Sequence, residues 1–151
     1  MTTTRDVVAD QVLGRTLETK DVAPGALLGT DLVLVPGPNG RDLAMIGGVA
    51  ALGQDLKTAI LTPLGEDLLH QTFGFEGLRA LAGDGGVRYV EEMLRLAAMR
   101  VVATDTRISR VIEVSVERVD PQLRAWRIKV SAQTVLDDVI NLTLGEVGQD
   151  A

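Results

Sequence analysis

Apolar and polar residues alternate with a period of two over the last third of the chain. The first alternating segment has its apolar positions at Ile112, Val114 and Val116, and the second has them at Trp126, Ile128, Val130 and Ala132. A period of two is typical of antiparallel strands with one buried face. We therefore predict two long strands joined through residues 119–122, followed by a short terminal strand over the apolar run at 139–144.

Apolar residues at helical spacing predict two helices in the middle of the chain. The first runs from Val49 to about Leu61, because Pro63 disfavours the α conformation at the residue before it. The second covers residues 87–103 after a glycine-rich turn at 83–86. Residues 66–71 are predicted to add one helical turn between the two helices. The predicted buried stripe of the long helix contains Val87, Val90, Leu94, Ala97 and Val101.

The beginning of the chain divides near residue 30. Residues 1–30 have no clean period, which favours either a mobile arm or an arm that orders against a neighbouring subunit. The apolar runs at 32–35 and 43–46 flank turn residues at 36–40, so they predict a β-hairpin. The expected organisation is an N-terminal arm (1–30), one domain (31–144) and a tail (145–151).

The predicted fold class is α+β. We expect an antiparallel sheet with an N-terminal hairpin, one long helix, one or two shorter helices and C-terminal strands. The chain has 151 residues, of which 46% are hydrophobic, which is enough to bury a core. Because aromatic residues make up only 3%, that core must be built mainly from aliphatic side chains.

The charge and the missing residue types exclude several function classes. A net charge of −6 argues against a nucleic-acid partner, since phosphate binding needs a clustered basic face. The absence of cysteine excludes disulfides, Cys-ligated zinc and thiol nucleophiles, and it is compatible with a reducing cytoplasm. The first residues lack the apolar core of a signal peptide, and no apolar run is long enough for a membrane span. We expect no membrane insertion.

Residues with catalytic or metal-binding chemistry are few and scattered. His70 is the only histidine, whereas a zinc site needs three or four ligands. Glu66 and Glu76 could form a glycosidase pair only if their carboxyl groups lay roughly 5–10 Å apart and one pKa were raised. No serine lies in a Gly-x-Ser-x-Gly turn, and the 83–86 turn lacks the Lys and Ser or Thr of a phosphate loop. We expect no enzyme activity, no metal and no cofactor.

Two surface features are more informative than any catalytic pattern. Gly74 and Gly77 flank Phe75-Glu76, where glycine allows a tight bend or close backbone approach. Arg107 follows Asp105 by two residues at the predicted end of the long helix. It is either a cation favoured by the helix dipole or a fixed guanidinium that reaches a carboxylate of a neighbouring chain.

The order of these segments resembles the W-like baseplate wedge family of contractile phage tails, type VI secretion systems and contractile injection systems. The resemblance covers residues 31–144 and depends on three motifs placed between the hairpin and the final strands. They are Thr62-Pro63-Leu64-Gly65-Glu66, Phe73-Gly74 and Asp105-Thr106-Arg107-Ile108. Three positions depart from the family pattern: Leu64 and Asp67 stand where the family often has arginine, and Thr106 replaces a proline.

The resemblance implies a structural protein that links the baseplate to the sheath and initiates the sheath. In the family, the motif at Asp105, Thr106 and Arg107 docks on larger wedge proteins, and Gly65, Glu66, Phe73 and Gly74 form a family loop. The last strand offers an edge that the first sheath ring extends by strand addition. By analogy, the sheath-contacting residues here are Val139, Ile140, Asn141, Leu142, Thr143 and Leu144.

The implied partners are other baseplate wedge proteins and sheath subunits, with tube or hub proteins as further candidates. The implied location is the bacterial cytoplasm during assembly, and then a virion tail or injection-system particle. Two alternatives stay open. One is an unrelated α+β protein-binding module, and the other, less favoured, is a cell-wall glycosidase, because some family members carry an old lysozyme-like label.

Overall fold

The computed structural model describes residues 4–21, 30–120, 122 and 125–147. Within these residues the chain forms four helices and nine strands, and every strand pair is antiparallel. The predicted α+β class is therefore confirmed. The chain divides into two compact units, Met1–Gln54 and Asp55–Ala151, and the boundary falls inside a helix.

The first unit consists of one short helix, three two-stranded ribbons and the beginning of α2. The ribbons pair β1 with β6, β2 with β3 and β4 with β5. In chain order, the elements are α1 (Thr4–Leu13), β1 (Arg15–Leu17), β2 (Thr19–Asp21), β3 (Thr30–Leu32), β4 (Leu34–Gly37), β5 (Gly40–Leu43), β6 (Met45–Gly47) and α2 (Gly48–Leu61).

The three ribbons meet at a triangle of backbone hydrogen bonds. Glu18 N donates to Ala44 O (2.9 Å), Ala44 N donates to Val33 O (2.8 Å), and Val33 N donates to Glu18 O (3.0 Å). Each of these residues lies between two strands, so the chain changes its pairing partner at each of them. The Gln54 side chain bonds the backbone on both sides of Glu18, accepting from Thr19 N (2.9 Å) and donating to Leu17 O (2.7 Å).

This junction determines which side chains share a face. In an antiparallel pair, opposed residues lie on the same face and neighbours alternate, so the residues flanking the triangle all lie on the face opposite its side chains. The cross-strand pairs on that face are Leu17–Met45, Thr19–Leu32 and Leu34–Leu43. We call its five large apolar residues the leucine face, and all five are exposed: Leu17, Leu32, Leu34, Leu43 and Met45.

The first unit differs from the sequence prediction in two ways. The predicted hairpin is present only as β4 and β5 around a Pro38-Asn39 turn, with positive φ at Gly40 but not at Asn39. Its two apolar runs are interrupted at Val33 and Ala44, because β3 and β6 pair with other strands. The predicted irregular arm contains α1, β1 and β2, while residues 1–3 and 22–29 of that arm lie outside the described residues.

The second unit contains the remainder of α2 and a three-stranded sheet in the order β7-β8-β9, with α4 packed on β7. Its further elements are α3 (Leu78–Leu81), α4 (Val87–Thr104), β7 (Ile108–Asp120), β8 (Ala125–Thr134) and β9 (Val139–Val147). One face of the sheet forms a large part of the core. Its buried residues are Val114, Val116, Trp126, Ile128, Val130, Ala132, Ile140 and Leu144.

The helices and strands of the second unit follow the sequence pattern closely, with local corrections. In α4, Val90, Leu94 and Ala97 are buried as predicted, but Val87 is exposed and the stripe continues through Ala98 and Val102 instead of Val101. The pairing of β7 with β8 shifts register between Val111 and Glu113, and Ile112 is exposed there.

Two other predictions in this unit need correction. Residues 66–71 form bends and turns instead of a helical turn, and the short helix α3 lies further along at Leu78–Leu81. Strand β9 continues beyond 144 to Val147, so it includes the first residues of the predicted tail. Residues 148–151 of that tail lie outside the described residues.

Candidate docking site

Residues 62–75, which contain two of the three sequence motifs, form a loop whose ends are hydrogen-bonded to each other. Phe75 N donates to Thr62 O (2.7 Å), Leu64 N donates to Phe75 O (3.3 Å), and Gly65 N donates to Phe73 O (3.3 Å). Phe75 is buried and anchors this closure in the core. The 62–75 loop is therefore fixed at its base, and the Thr-Pro and Phe-Gly segments lie side by side.

The glycines of this loop have a steric role. Gly74 has φ of 113°, and a Cβ added there would lie 2.7 Å from the carbonyl oxygens of both Thr62 and Pro63. Real Cβ atoms essentially never approach so closely, so only glycine lets the strand-like ends of the loop meet. Gly65 has φ of 81°, in the left-handed region that other residues adopt only with strain.

The Asp-Thr-Arg motif lies in the turn between α4 and β7, and its charged side chains are paired within the chain. Arg107 Nε and Nη2 donate to the two carboxylate oxygens of Asp105 (2.9 and 2.7 Å). Arg107 Nη1 donates to Asp55 in α2 (2.8 Å), and Arg107 N also donates to Asp105 (2.9 Å). The guanidinium therefore connects the end of α4 to α2.

The surroundings of Asp105 and Arg107 favour the ionised forms of both side chains. The side chains of Arg107 and Asp105 are only 22% and 15% exposed. Burial by itself raises the pKa of Asp105, but the hydrogen bonds from the Arg107 side chain and backbone outweigh it, so the pKa lies below its usual value. The hydrogen bond to Asp105, against the opposing effect of burial and with further support from Asp55, raises the pKa of Arg107.

The loop and the motif border the same groove, which has a volume of about 260 Å³ and which we call the motif groove. Its apolar lining comes from α2, the 62–75 loop and α4. Its charged residues are paired, because Arg107 holds Asp105 and Asp55 while Arg100 holds Glu76. The lining residues are Asp55, Leu56, Ala59, Leu64, Thr72, Phe73, Gly74, Glu76, Ala97, Arg100, Val101, Thr104, Asp105 and Arg107.

The groove brings together only some of the residues singled out from the sequence. Phe73 and Gly74 from the family loop meet Asp105 and Arg107 there, although more than 30 residues separate the two motifs. Thr106 is exposed in the turn and does not line the groove. Gly65 and Glu66 belong to the same loop but lie outside the lining.

Asp55 is a site residue that the sequence reading missed. It accepts from Arg107 across 52 positions of sequence, and no local pattern connects the two residues. One available signal was its position as the one acidic residue within the predicted helix from Val49 to Leu61.

The backbone of β9 presents a second candidate contact. Thr134 N donates to Asp138 O (2.9 Å), which makes that pair hydrogen-bonded, and hydrogen-bonded pairs alternate with the other kind along an antiparallel ladder. Ile140 and Leu142 therefore direct their backbone groups toward β8. Asn141 and its alternating neighbours Val139 and Thr143 direct theirs toward the outer edge, where the described residues contain no partner strand.

The groups considered for catalysis or metal binding are dispersed. His70 Nδ1 lies 3.2 Å from Asp67 Oδ2, both on the 62–75 loop. Glu76 is paired with Arg100, and Glu66 is exposed. Within the described ranges, no three His, Cys, Asp or Glu side chains are grouped so that they could hold a metal ion.

No helix in the described part of the chain is long and apolar enough to cross a membrane. Comparison with protein-family models and with curated proteins finds no match to this chain.

Proposed function

We propose that this chain is a non-enzymatic structural subunit of the baseplate wedge in a contractile tail or injection system. In this role it joins the baseplate to the sheath and initiates sheath assembly. The order of its three motifs supports the proposal. The observation that carries it is the outer edge of β9, a nine-residue strand at the end of the three-stranded sheet.

Strand addition is the proposed mechanism of sheath contact. An edge strand offers a row of backbone donors and acceptors to a strand from another chain, and side chains at alternate positions give specificity. Ile140 and Leu144 are buried and hold β9 in place. Val139, Asn141 and Thr143 are exposed on the opposite face of the strand and would contact a sheath subunit or its neighbours.

The motif groove is the proposed contact with larger wedge proteins. Because Arg107 is held by two carboxylates of its own chain, we assign it the role of shaping the groove rather than of reaching a partner's carboxylate. The surface offered to the partner is then largely apolar, with Phe73 exposed at its side. A side chain from a wedge protein would occupy this groove while β9 binds the sheath.

A proline at Asn141 tests strand addition directly. Proline removes one outward-facing N–H and is tolerated at the solvent-facing positions of edge strands. We expect Asn141→Pro to leave a folded protein that enters baseplates, while electron microscopy of the particles shows no extended sheath. Asn141→Ser keeps the N–H and serves as the matched control with normal sheaths.

A second proline variant checks the assignment of the edge. Leu142→Pro removes an N–H that bonds β8, so it should unfold the β8–β9 hairpin, which circular dichroism would detect. Full-length sheaths on particles that contain Asn141→Pro would contradict sheath initiation by β9. If Asn141→Pro had a native fold but failed to enter an otherwise intact baseplate, the assignment of the wedge contact to the groove and of the sheath contact to the edge would be contradicted.

The remaining partner assignments belong to the same proposal. Assembly would take place in the bacterial cytoplasm, and the finished chain would be part of a virion tail or injection particle. Tube or hub proteins are further candidate neighbours, whereas nucleic acid and membrane are not proposed. Sheath, tube and spike genes beside the gene for this chain would support the proposal, and their absence would favour an unrelated binding module.

A further inference from the structure

Two leucines at the tip of the 62–75 loop are fully presented to solvent. Leu68 is 85% exposed and Leu69 is 89% exposed, higher than any other large hydrophobic residue in the described part of the chain. Neither residue lines the motif groove, and neither belongs to β9. We call this pair the leucine finger. Its exposure has no role in the fold or in the proposed sheath contact.

The backbone around the finger is hydrogen-bonded to neighbouring residues of the loop. Asp67 Oδ1 accepts from the backbone N–H of Leu69 (2.8 Å) and of His70 (3.3 Å), and Asp67 O also accepts from His70 N (3.2 Å). Phe73 N then donates to His70 O (2.8 Å) on the returning side of the loop. A loop that is fixed before binding loses less conformational entropy when it binds, which favours a specific contact.

Carboxylates lie directly beside the two leucines. Glu66 and Asp67 directly precede the two leucines in sequence; Glu66 is exposed and Asp67 is half-buried. The hydrogen bond from Leu69 N lowers the pKa of Asp67, so this carboxylate is ionised at neutral pH. The nearest basic residues in sequence, apart from His70, are Lys57 and Arg79. The leucine finger is therefore an exposed apolar pair with two acidic residues next to it in sequence.

We propose that the leucine finger is an anchor that inserts into an apolar pocket of another protein, and that the rim of this pocket carries arginine or lysine. Apolar side chains in a partner pocket are typical of the central contacts of interfaces, and the charges around them determine orientation and specificity. A membrane surface fits less well, because anionic phospholipid headgroups attract basic residues and repel the carboxylates beside the finger.

Photocrosslinking in the cell of origin tests where the finger binds. A benzoylphenylalanine at position 69 of the full chain should crosslink to one site on another polypeptide. The same probe at the exposed position Ala82 serves as the control and should not crosslink to that site. The site should map to an apolar surface flanked by basic residues. Crosslinks only to a second copy of this chain, only to lipid, or to no defined site would overturn the proposal.

Binding to the mapped partner fragment then separates the contributions of the leucines and the charges. We expect Leu68→Ser/Leu69→Ser to weaken binding at least 30-fold in fluorescence anisotropy, without changing the urea midpoint, because both side chains are exposed. Leu68→Met/Leu69→Met should bind with an affinity within threefold of the wild-type value. Wild-type affinity of Leu68→Ser/Leu69→Ser would overturn the anchor role.

The contribution of the charges is tested with Glu66→Gln/Asp67→Asn, because asparagine keeps the acceptor oxygen of the turn. This variant should bind at least fivefold more weakly at low salt, and the difference should vanish in high salt. An unchanged affinity would overturn the basic rim. The wild-type chain should not sediment with vesicles of phosphatidylcholine and phosphatidylglycerol, and sedimentation would overturn the choice of a protein partner.

These outcomes are independent of the proposed function. The finger variants leave β9 intact, and Asn141→Pro leaves the finger intact. If particles had normal sheaths but the finger bound no partner protein, only the proposal for the leucine finger would be contradicted. A mapped protein contact at Leu69 in a cell without contractile particles would contradict only the wedge.

Discussion

The sheet of β7, β8 and β9 buries most of the apolar residues on one face, whereas the three ribbons that meet at Glu18, Val33 and Ala44 leave the leucine face in solvent. Both regions are antiparallel and both are rich in aliphatic residues. The difference lies in what covers them: α4 packs against β7 of the sheet, while the five large side chains of the leucine face are all exposed.

This contrast shows that apolar residues in a strand are not necessarily buried. A strand stabilises a fold in proportion to the apolar area that it removes from water, and not to the number of its apolar residues. In the second unit that area is large, because every second residue of β8 is buried. In the first unit, leucines at regular strand positions contribute much less. The two regions should therefore respond very differently to the same truncation.

The largest expected difference comes from shortening one aliphatic side chain in each region. Ile128 is completely buried in β8, so Ile128→Ala should lower the free energy of unfolding by about 2–5 kcal/mol. Leu34 is 52% exposed, so Leu34→Ala should change it by less than about 0.5 kcal/mol. Urea denaturation checks both, with circular dichroism for the whole chain and the fluorescence of Trp126, the only tryptophan, for the second unit.

Equal losses in the two variants would contradict the comparison. They would mean that the leucine face is covered in solution, for example by self-association. Sedimentation velocity of the wild-type protein would then show a concentration-dependent oligomer that Leu34→Ala weakens.

Strand β8 shows why the second unit could be predicted from sequence. Its apolar residues alternate without interruption, its neighbours in the sheet are the strands directly before and after it in the chain, and one of its faces is buried. Local pattern and tertiary environment therefore agree, and the predicted buried positions Trp126, Ile128, Val130 and Ala132 are all buried.

The first unit could not be predicted in the same way, because its pairing is not local. The run at 32–35 reads as one strand, yet Val33 is the point where the chain leaves β2 and joins β5. That change depends on Glu18, which lies in a segment without a clean hydrophobic period. Propensity and alternation carry no information on a three-way junction between distant residues.

The candidate site was predictable in its motifs but not in its geometry. The sequence singled out Phe73, Gly74, Asp105 and Arg107, and the structure places all four on one groove. The Asp55 carboxylate reaches Arg107 only because α2 lies beside the turn between α4 and β7, which residue spacing does not determine. The exposure of Leu68 and Leu69 was also hidden, since an apolar pair within a predicted helical turn would normally face a core.

The second comparison concerns two glycines with similar φ angles. Gly74 in the second unit has φ of 113°, and Gly40 in the first has φ of 123°. An alanine at either position carries a backbone strain of about 1–3 kcal/mol. At Gly74 the added Cβ also collides with two carbonyl oxygens, while nothing lies within 4 Å of it at Gly40. We therefore expect Gly74→Ala to lower the free energy of unfolding more than Gly40→Ala, in urea denaturation of both variants.

Equal losses for these two alanine variants would show that the 62–75 loop relaxes easily and that its base is not fixed. Hydrogen exchange provides an independent readout, because Gly74→Ala should accelerate exchange at Phe75 N and Leu64 N, two of the three donors that close the loop. Exchange at the same rates as in the wild-type protein would contradict a steric requirement for glycine.

The smallest expected difference concerns arginine, and it depends on pH. Arg107→Ala removes the side-chain hydrogen bonds to Asp105 and to Asp55, and it leaves the 15%-exposed carboxylate of Asp105 without two of its donors, which should cost about 1–3 kcal/mol at pH 7. Arg41→Ala, at an exposed position in β5, is the control and should cost less than about 0.5 kcal/mol.

The pH dependence follows from the carboxylate. Because the folded-state pKa of Asp105 is lowered, the contribution of Asp105 to the free energy of unfolding is present above the unfolded pKa of about 3.9 and is lost as the pH falls through the folded pKa. The gap between wild type and Arg107→Ala in urea denaturation should therefore be full at pH 5 and pH 7 and should shrink below about pH 4. A gap that stays constant down to pH 2, or that widens, would show that Arg107 stabilises the second unit through packing and not through its carboxylate partners.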